Sequence, residues 1–210
     1  MKEYRRIYVV DSPESLPESS IVLGEGEKAS VTFLVFPGMS VDIPVSVEFT
    51  GENAELSLRG IYICGGGEKV NIRTDVRHNV PGCVSDQLVN GIAAGDAHVT
   101  FYGKIVVAHG AQKTQAYQSN HNVVLTPSAK VDTKPQLEIY ADDVKCSHGA
   151  TVGSLNEDEQ FYMRSRGIPE AEAKVLQMIS FVAPVLDDIE DEEKKAELSA
   201  RVEEAIRSII

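Results

Sequence analysis

The chain has 210 residues, of which 42% are hydrophobic and 25% charged, a composition typical of a globular protein with a core of its own. Its 32 acidic and 20 basic residues give a net charge of -12, which argues against a surface that binds the phosphates of a nucleic acid. The sequence has no apolar run of membrane-spanning length, no signal-peptide pattern at its start and an odd number of cysteines, so we expect a cytoplasmic protein without membrane contact or a disulfide framework.

The first 29 residues contain prolines and a glycine-rich turn at 24–27, and we predict an N-terminal lead-in with short strands at 7–10 and 21–23. From Ser30 onward, alternating apolar segments are separated by turn formers roughly ten residues apart. The predicted strands of this 30–154 core are 31–36, 41–49, 54–59, 61–64, 69–77, 84–92, 98–107, 116–125, 129–131, 136–140 and 143–152.

Regular strands without a long helix between them fit a sandwich, a barrel or a β-solenoid. The sequence shows no sharp internal repeat that would decide among these folds. Two features favour the solenoid. The segment 112–122 is strand-like but rich in amides, as expected where side chains stack between coils, and small residues recur at the predicted corners.

Helical patterns begin at Asn156, which with Glu159 predicts a capping box, and define a domain over residues 155–210. Gly167 is expected to end the first helix and Pro169 to start the second. Pro184 should end or kink that second helix. One apolar face of the helix is predicted to consist of Val175, Leu176, Ile179, Val182 and Ala183.

The last segment carries an apolar stripe on an otherwise charged helix. The stripe consists of Leu198, Val202, Ala205, Ile206 and Ile209. It is consistent with a helix that packs back on its own domain, which we favour, or with a docking face for a partner.

Cys146 and His148 lie two residues apart, so on a strand they would project from the same face and could share a ligand. The spacing alone favours a buried thiol near a structural histidine. The other four histidines lie on or beside separate strands, and we expect surface or turn positions for His78, His98, His109 and His121.

The glycines at 65–67 lack the spacing of a phosphate-binding loop and are interpreted as a turn. A β-solenoid also raises the possibility of a carbohydrate-active enzyme with carboxylates in an open groove. The chain has no tryptophan and only scattered aromatic residues, so this possibility is a minor alternative, and no catalytic residue is assigned.

Four consecutive segments resemble the SufB/SufD family of iron–sulfur cluster assembly proteins. They are GDAHVTFYGKIVV at 95–107, AQKTQAYQSN at 111–120, LEIYADDVKCSHGATVG at 137–153 and FYMRSRGIP at 161–169. The resemblance implies a mainly β protein with a right-handed parallel β-helix core and a C-terminal helical domain. It further implies a scaffold that pairs through its β-helix with a SufB-like subunit or with itself, holding a transient iron–sulfur cluster at the seam.

The family histidine falls on His148, which the resemblance makes the candidate cluster ligand, with Cys146 as a weaker metal-ligand candidate. A SufC-type ABC ATPase is expected to dock on the C-terminal helices. The implied partner-binding residues are Phe161, Tyr162, Arg166, Gly167 and Ile168.

The chain departs from the SufB pattern at two positions and is therefore SufD-like. No cysteine stands near Asn120, and Gly149 replaces the glutamate that follows the histidine. Because the chain is shorter than better-known members and lacks their N-terminal extension, we expect a minimal form or a divergent paralogue. The hypothesis is a non-enzymatic scaffold subunit, and the alternative is an interaction or regulatory paralogue with the same fold that holds no cluster.

Overall fold

We describe residues 3–12 and 15–210 of the protein from a computed structural model, in which eleven β-strands precede three α-helices. The strands are β1 (Glu3–Val10), β2 (Ser20–Leu23), β3 (Lys28–Val35), β4 (Val41–Phe49), β5 (Glu55–Cys64), β6 (Lys69–His78), β7 (Val84–Ala93), β8 (His98–Val107), β9 (Gln115–Val124), β10 (Lys130–Ile139) and β11 (Lys145–Gly153). The helices are α1 (Glu157–Ser165), α2 (Glu170–Leu186) and α3 (Glu192–Ser208). Across these described ranges no helix is both long and apolar enough to cross a bilayer.

The strands form two parallel sheets that share the chain alternately. The odd-numbered strands make sheet A, ordered β1-β3-β5-β7-β9-β11, and the even-numbered strands make sheet B, ordered β10-β8-β6-β4-β2. Each coil therefore contributes one strand to each sheet, which is the topology of a parallel β-solenoid. The prediction of a parallel β-helix core followed by helices is confirmed.

The coils differ in length, which explains why no repeat is visible in the sequence. Glu3 pairs with Lys28 at the first step of sheet A, whereas Lys130 pairs with His98 at the last step of sheet B. Strand β1 pairs with β3 and β2 pairs with β4, so strands of the solenoid already lie ahead of Ser30, where the sequence analysis started the core.

Two strands continue through residues that the sequence analysis treated as breaks. Gly60 lies inside β5, where its missing side chain makes room for Phe33: a Cβ atom there would lie 2.4 Å from the Phe33 ring. Pro135 lies inside β10, which among the described strands pairs only with β8 and is therefore an edge strand that tolerates a missing N–H.

Alternate residues of each strand point into the solenoid, and the inner coils bury them almost completely. The largest of these buried inward side chains are Phe33, Phe49, Tyr62 and Phe101. A second core lies between the outer face of sheet A and the helices. There Leu34, Ile61, Ile63 and Ile92 of the sheet pack against Val175, Met178, Val182, Leu198, Val202 and Ile206 of α2 and α3.

The apolar stripe of α3 therefore packs on its own domain, as favoured from the sequence. Leu198, Val202, Ala205 and Ile206 are buried, so these side chains are not available as a docking face. Burial of this stripe and of one face of α2 fixes the helical domain against the solenoid.

The helix boundaries follow the predicted signals with small shifts. The Asn156 side chain caps α1 by accepting from the N–H groups of Asp158 and Glu159 at 2.9 and 3.2 Å. Gly167, with φ of +87°, follows the end of α1. Pro169 caps α2 one residue before its first turn, and Pro184 lies inside α2, which continues to Leu186.

Candidate functional site

The last coil of the solenoid leaves its inner face open. Strands β10 and β11 are the edge strands of the two sheets at this end of the solenoid, and each pairs on one side only within the part of the chain that the structure describes. Their inward side chains are half-buried or exposed, in contrast to those of the inner coils, with Ile139 and Val152 exposed by 42% and 49%. We call this surface the open end; its inward positions are Val131, Thr133, Pro135, Leu137, Ile139, Cys146, His148, Ala150 and Val152.

Both candidate ligands lie at the open end. Cys146 pairs with Ala116 and His148 with Gln118, and these β9 residues point into the solenoid. Cys146 and His148 are therefore on the same face of β11, about 7 Å apart along the strand. His148 is exposed and Cys146 is half-buried.

The two side chains differ in how readily they could bind a metal. Burial raises the pKa of the Cys146 thiol, and the backbone hydrogen bond with Ala116 offsets this only in part. The thiol is protonated at neutral pH and would have to lose its proton before it could act as a ligand. A neutral imidazole needs no such step, which makes His148 the better ligand of the pair.

Beneath the open end, polar side chains stack inside the solenoid. Gln118 Nε2 donates to Gln87 Oε1 at 3.2 Å and lies 3.4 Å from Thr74 Oγ1. This contact between coils is the amide stacking that the sequence of 112–122 predicted. Among the residues that the structure describes, the buried atoms Gln87 Nε2, Gln118 Oε1 and Thr133 Oγ1 have no hydrogen-bond partner.

A second polar group lies farther along the same strands. The Tyr62 hydroxyl of β5 donates to Asn122 Oδ1 of β9 at 2.5 Å, passing over Gly91 of the intervening strand β7. Asn120 and Asn122 also bond to each other, with Asn122 Nδ2 donating to Asn120 Oδ1 at 2.8 Å. The inner face of sheet A is thus apolar in the first coils and polar at β9, whereas the inner face of sheet B stays mainly apolar.

One histidine expectation is wrong. His78 was expected at a surface or turn, but it is completely buried at the end of β6, because its register with Phe49 points it inward. Its Nε2 lies 2.9 Å from Ser85 Oγ, and its ring stacks on Phe49. Burial lowers the pKa of His78 to about 4, so this side chain is a neutral core residue.

No complete metal site is found within residues 3–12 and 15–210. No group of three or more His, Cys, Asp or Glu side chains there is arranged to hold a metal ion. Of the other histidines, His98 pairs with Asp132 at 2.9 Å and His121 lies 2.9 Å from Thr151 Oγ1, both away from the inner face of the open end. At that face, exposed His148 and half-buried Cys146 are thus the side chains of a metal-binding type.

The residues expected to contact an ATPase lie on and after α1. Phe161 and Tyr162 are exposed by 72% and 59%, although both are large aromatic residues. The Arg166 guanidinium lies over the Tyr162 ring, 5.3 Å from its centre. Gly167 turns the chain, and Ile168 is half-buried with its N–H bonded to Met163 O.

A groove of about 650 Å³ runs between α1 and α2 beside these residues. It is lined by Asp158, Glu159, Tyr162, Met163, Leu176, Gln177, Ser180 and Phe181. Leu176 belongs to the predicted apolar face of α2, but its side chain is 42% exposed and borders the groove. The sequence indicated that Leu176 lies on an apolar face of α2, but not that this part of the face is exposed. Periodicity does not show which side of a helix a neighbouring helix leaves uncovered.

Comparison with known proteins gives consistent matches over most of the chain. The family model described as "SUF system FeS cluster assembly, SufBD core domain" matches residues 15–181. The iron–sulfur cluster assembly protein SufD of Escherichia coli K12 is 37% identical over 184 residues, which is 88% of this chain and 44% of that protein. A SufBD family protein of Synechocystis is 31% identical over a match that covers 85% of this chain and 40% of that protein. SufD of Bacillus subtilis is 32% identical over a match that covers 69% of this chain and 33% of that protein. The chain thus spans less than half the length of these relatives.

Proposed function

The chain belongs to the SufBD family of the SUF system of iron–sulfur cluster assembly, and from this premise we propose that it is a SufD-like scaffold subunit. In this role it is not an enzyme. It pairs through the open end of its β-helix with a SufB-like subunit or a second copy of itself, docks a SufC-type ABC ATPase on its C-terminal helices, and offers His148 to a transient cluster.

The observation that carries the proposal is the position of His148 at the open end. A histidine in the middle of a solenoid would be enclosed on both sides by neighbouring coils, as His78 is. His148 instead lies on an edge strand, with its inner face uncovered. The side chain can therefore reach a group that is shared with a partner.

Iron–sulfur chemistry fits this position. Imidazole nitrogen ligates iron in some clusters that are otherwise held by cysteine thiolates. One histidine cannot hold a cluster alone, so the remaining ligands would come from the partner subunit or from Cys146. A site completed across a seam would release its cargo when the two subunits separate.

Pairing at the open end is supported by the two edge strands and by the apolar side chains between them. Edge strands present backbone N–H and C=O groups that readily bond to another strand. Half-buried Val131 and Leu137, together with exposed Ile139 and Val152, add apolar surface that a second solenoid end would bury.

Docking of an ATPase is supported by the surface of α1. Exposed Phe161 and Tyr162 beside an apolar groove are typical of an interface anchor, because aromatic residues contribute much of the binding energy at such sites. Asp158 and Glu159 border the groove, which favours a partner surface with basic residues around an apolar centre.

A cytoplasmic location completes the proposal. All three cysteines are unpaired thiols, as expected in a reducing compartment.

Anaerobic cluster reconstitution tests the proposed function. The chain is mixed with a SufB-like subunit and an ABC ATPase, and the cluster is followed by visible absorption. We expect His148→Ala to lower cluster yield, whereas His98→Ala, on the outer face of sheet B, should leave it unchanged. Equal yield from wild type and His148→Ala would remove the role of His148. A stable complex that holds no cluster with either chain would indicate the regulatory alternative.

A further inference from the structure

The buried amide of Gln118 is only partly satisfied by the protein. Its side chain is 1% exposed, and its Nε2 is directed to Gln87 and Thr74, which lie in coils farther from the open end. Its Oε1 has no partner among the described residues. A buried amide oxygen left without a hydrogen bond destabilises the fold, so this oxygen calls for a partner.

The chain makes room for this amide at Gly103. A Cβ atom there would overlap the Oε1, Nε2 and Cδ atoms of Gln118, so any larger residue would displace the side chain. Because the two ends of an amide point in different directions, binding of Nε2 by the inner coils leaves Oε1 for the outer side. The next residue on that side of β9, in register with Gln118, is His148.

The spacing permits contact between the two side chains. Residues in register on adjacent strands are about 4.8 Å apart, within reach of a glutamine and an imidazole. Neutral imidazole has one N–H donor and one nitrogen with a free lone pair. A hydrogen bond from the N–H determines which of the two ring nitrogens carries the proton.

We propose that Gln118 is a positioning residue for His148: the exposed ring, which makes no hydrogen bond to Gln118 in the described conformation, turns inward so that the Oε1 of Gln118 accepts from one ring N–H. This bond fixes the tautomer and leaves the other nitrogen free to bind iron. The inference rests on the proposed function, since only a ligand role gives the fixed tautomer a use. Outer partners of this kind orient most metal-bound histidines.

A neutral amide suits this task better than a carboxylate. A carboxylate in the same place would favour the protonated imidazolium, which has no lone pair for a metal. Gln118 can orient the ring without adding negative charge next to the bound cluster.

The test is ¹⁵N NMR of the histidine rings in the isolated, full chain, with the His148 signals identified by their loss in His148→Ala. Wild type is expected to show one dominant His148 tautomer, and Gln118→Leu, which removes the acceptor at similar size, a mixture of the two. Asn120→Leu is the matched control: it removes a buried amide of the same strand that faces Ala150, and His148 should be unaffected.

The outcomes separate this inference from the proposed function. A mixed tautomer in wild type would overturn the inference even if every variant failed to fold. So would an unchanged tautomer in folded Gln118→Leu. Failure of the proposed function would appear elsewhere, as cluster yield that does not depend on His148 in the reconstituted complex. With both intact, Gln118→Leu should lose cluster affinity by about 10–100-fold.

Discussion

At the scale of single residues, Glu68 connects two corners of the solenoid. Its carboxylate accepts from the backbone N–H groups of Gly38 at 2.8 Å, Gly66 at 2.6 Å and Gly65 at 3.3 Å. The side chain is almost completely buried. Burial by itself raises its pKa, but these backbone hydrogen bonds outweigh that effect and hold the pKa below its ordinary value of 4.5.

We expect Glu68→Gln to lower the free energy of unfolding by about 2 kcal/mol at neutral pH, because charge-assisted bonds to backbone donors are lost. A lowered pKa in the folded state stabilises the protein above the ordinary pKa. This contribution disappears as the pH falls through the folded value. The difference between wild type and variant should therefore shrink below about pH 4.5. Denaturant unfolding at several pH values measures it, with exposed Glu25→Gln as a control expected to change little.

Gly91 is the other position where a single atom decides the packing. A Cβ atom there would lie within the Tyr62 ring, 2.0 Å from Tyr62 Cε1, whereas a Cβ at Gly67 would meet no atom within 4 Å. We expect Gly91→Ala to destabilise the protein by about 3 kcal/mol. Gly67→Ala should lie within about 0.5 kcal/mol of wild type. Thermal unfolding of both variants decides this, and equal midpoints would contradict the described position of Tyr62.

At the scale of elements, α1 and α3 have opposite relations to the fold. Helix α3 buries its apolar stripe against α2 and sheet A, whereas α1 has no buried residue and contacts mainly α2. The large side chains of α1 thus contribute little to the stability of the isolated chain. Their retention on the surface is consistent with the proposed ATPase contact.

Because of this difference, we expect substitutions in α3 to affect the free energy of unfolding and substitutions in α1 to affect binding of the ATPase. Leu198→Ala should cost about 2–5 kcal/mol of unfolding free energy because it leaves a cavity in the second core. Phe161→Ala should stay within about 0.5 kcal/mol of wild type but weaken binding to an ABC ATPase partner. Calorimetric unfolding and titration measure the two effects. A large loss of stability from Phe161→Ala would contradict the exposed position of α1.

The strand rhythm could be predicted from the sequence because turn formers recur in it, but two of the predicted interruptions do not exist. Gly60 and Pro135 are turn formers in general, and only their neighbours in other coils explain why strands pass through them. The apolar face of α2 was likewise predicted with Leu176 in it, since the sequence does not contain the position of α1. Local sequence patterns thus predict where strands and helices form. Contacts between residues distant in the sequence decide where a turn former stays inside a strand or an apolar side chain stays exposed.

At the scale of the whole molecule, the solenoid has an open end at β10 and β11. Within residues 3–12 and 15–210, the strands there pair on one side only and their inner face is partly uncovered, whereas β5 to β8 have neighbours on both sides. In a structure whose stability is a sum of contacts between neighbouring coils, an end coil has a neighbour on one side only and is held by fewer such contacts than an inner coil.

Backbone amide exchange should therefore be uneven along the chain. We expect the amides of β10 and β11 to exchange more than about tenfold faster than those of β5 to β8 in the isolated protein, and to slow on pairing with a second solenoid. Hydrogen–deuterium exchange with mass spectrometry measures both states. Uniform protection of all strands in the isolated chain would contradict the open end.

The candidate site shows the same limit of sequence reasoning at long range. The resemblance identified His148, and its face relative to Cys146 followed from the period of a strand. Gln118 and His148 lie side by side because of the register between β9 and β11. This register cannot be read from the sequence, because the coils differ in length. The amide-rich segment indicated stacking, but not which amide lies beneath the histidine.

Tyr62 joins strands that are not adjacent. Its hydroxyl crosses β7 to reach Asn122, so β5 and β9 are bonded directly although neither pairs with the other. Coils that contact only their nearest neighbours can unfold one at a time. A hydrogen bond that crosses the middle strand makes the three coils that contain β5, β7 and β9 unfold together. We therefore expect the centre of the molecule to unfold as one cooperative unit, while the last coil unfolds independently.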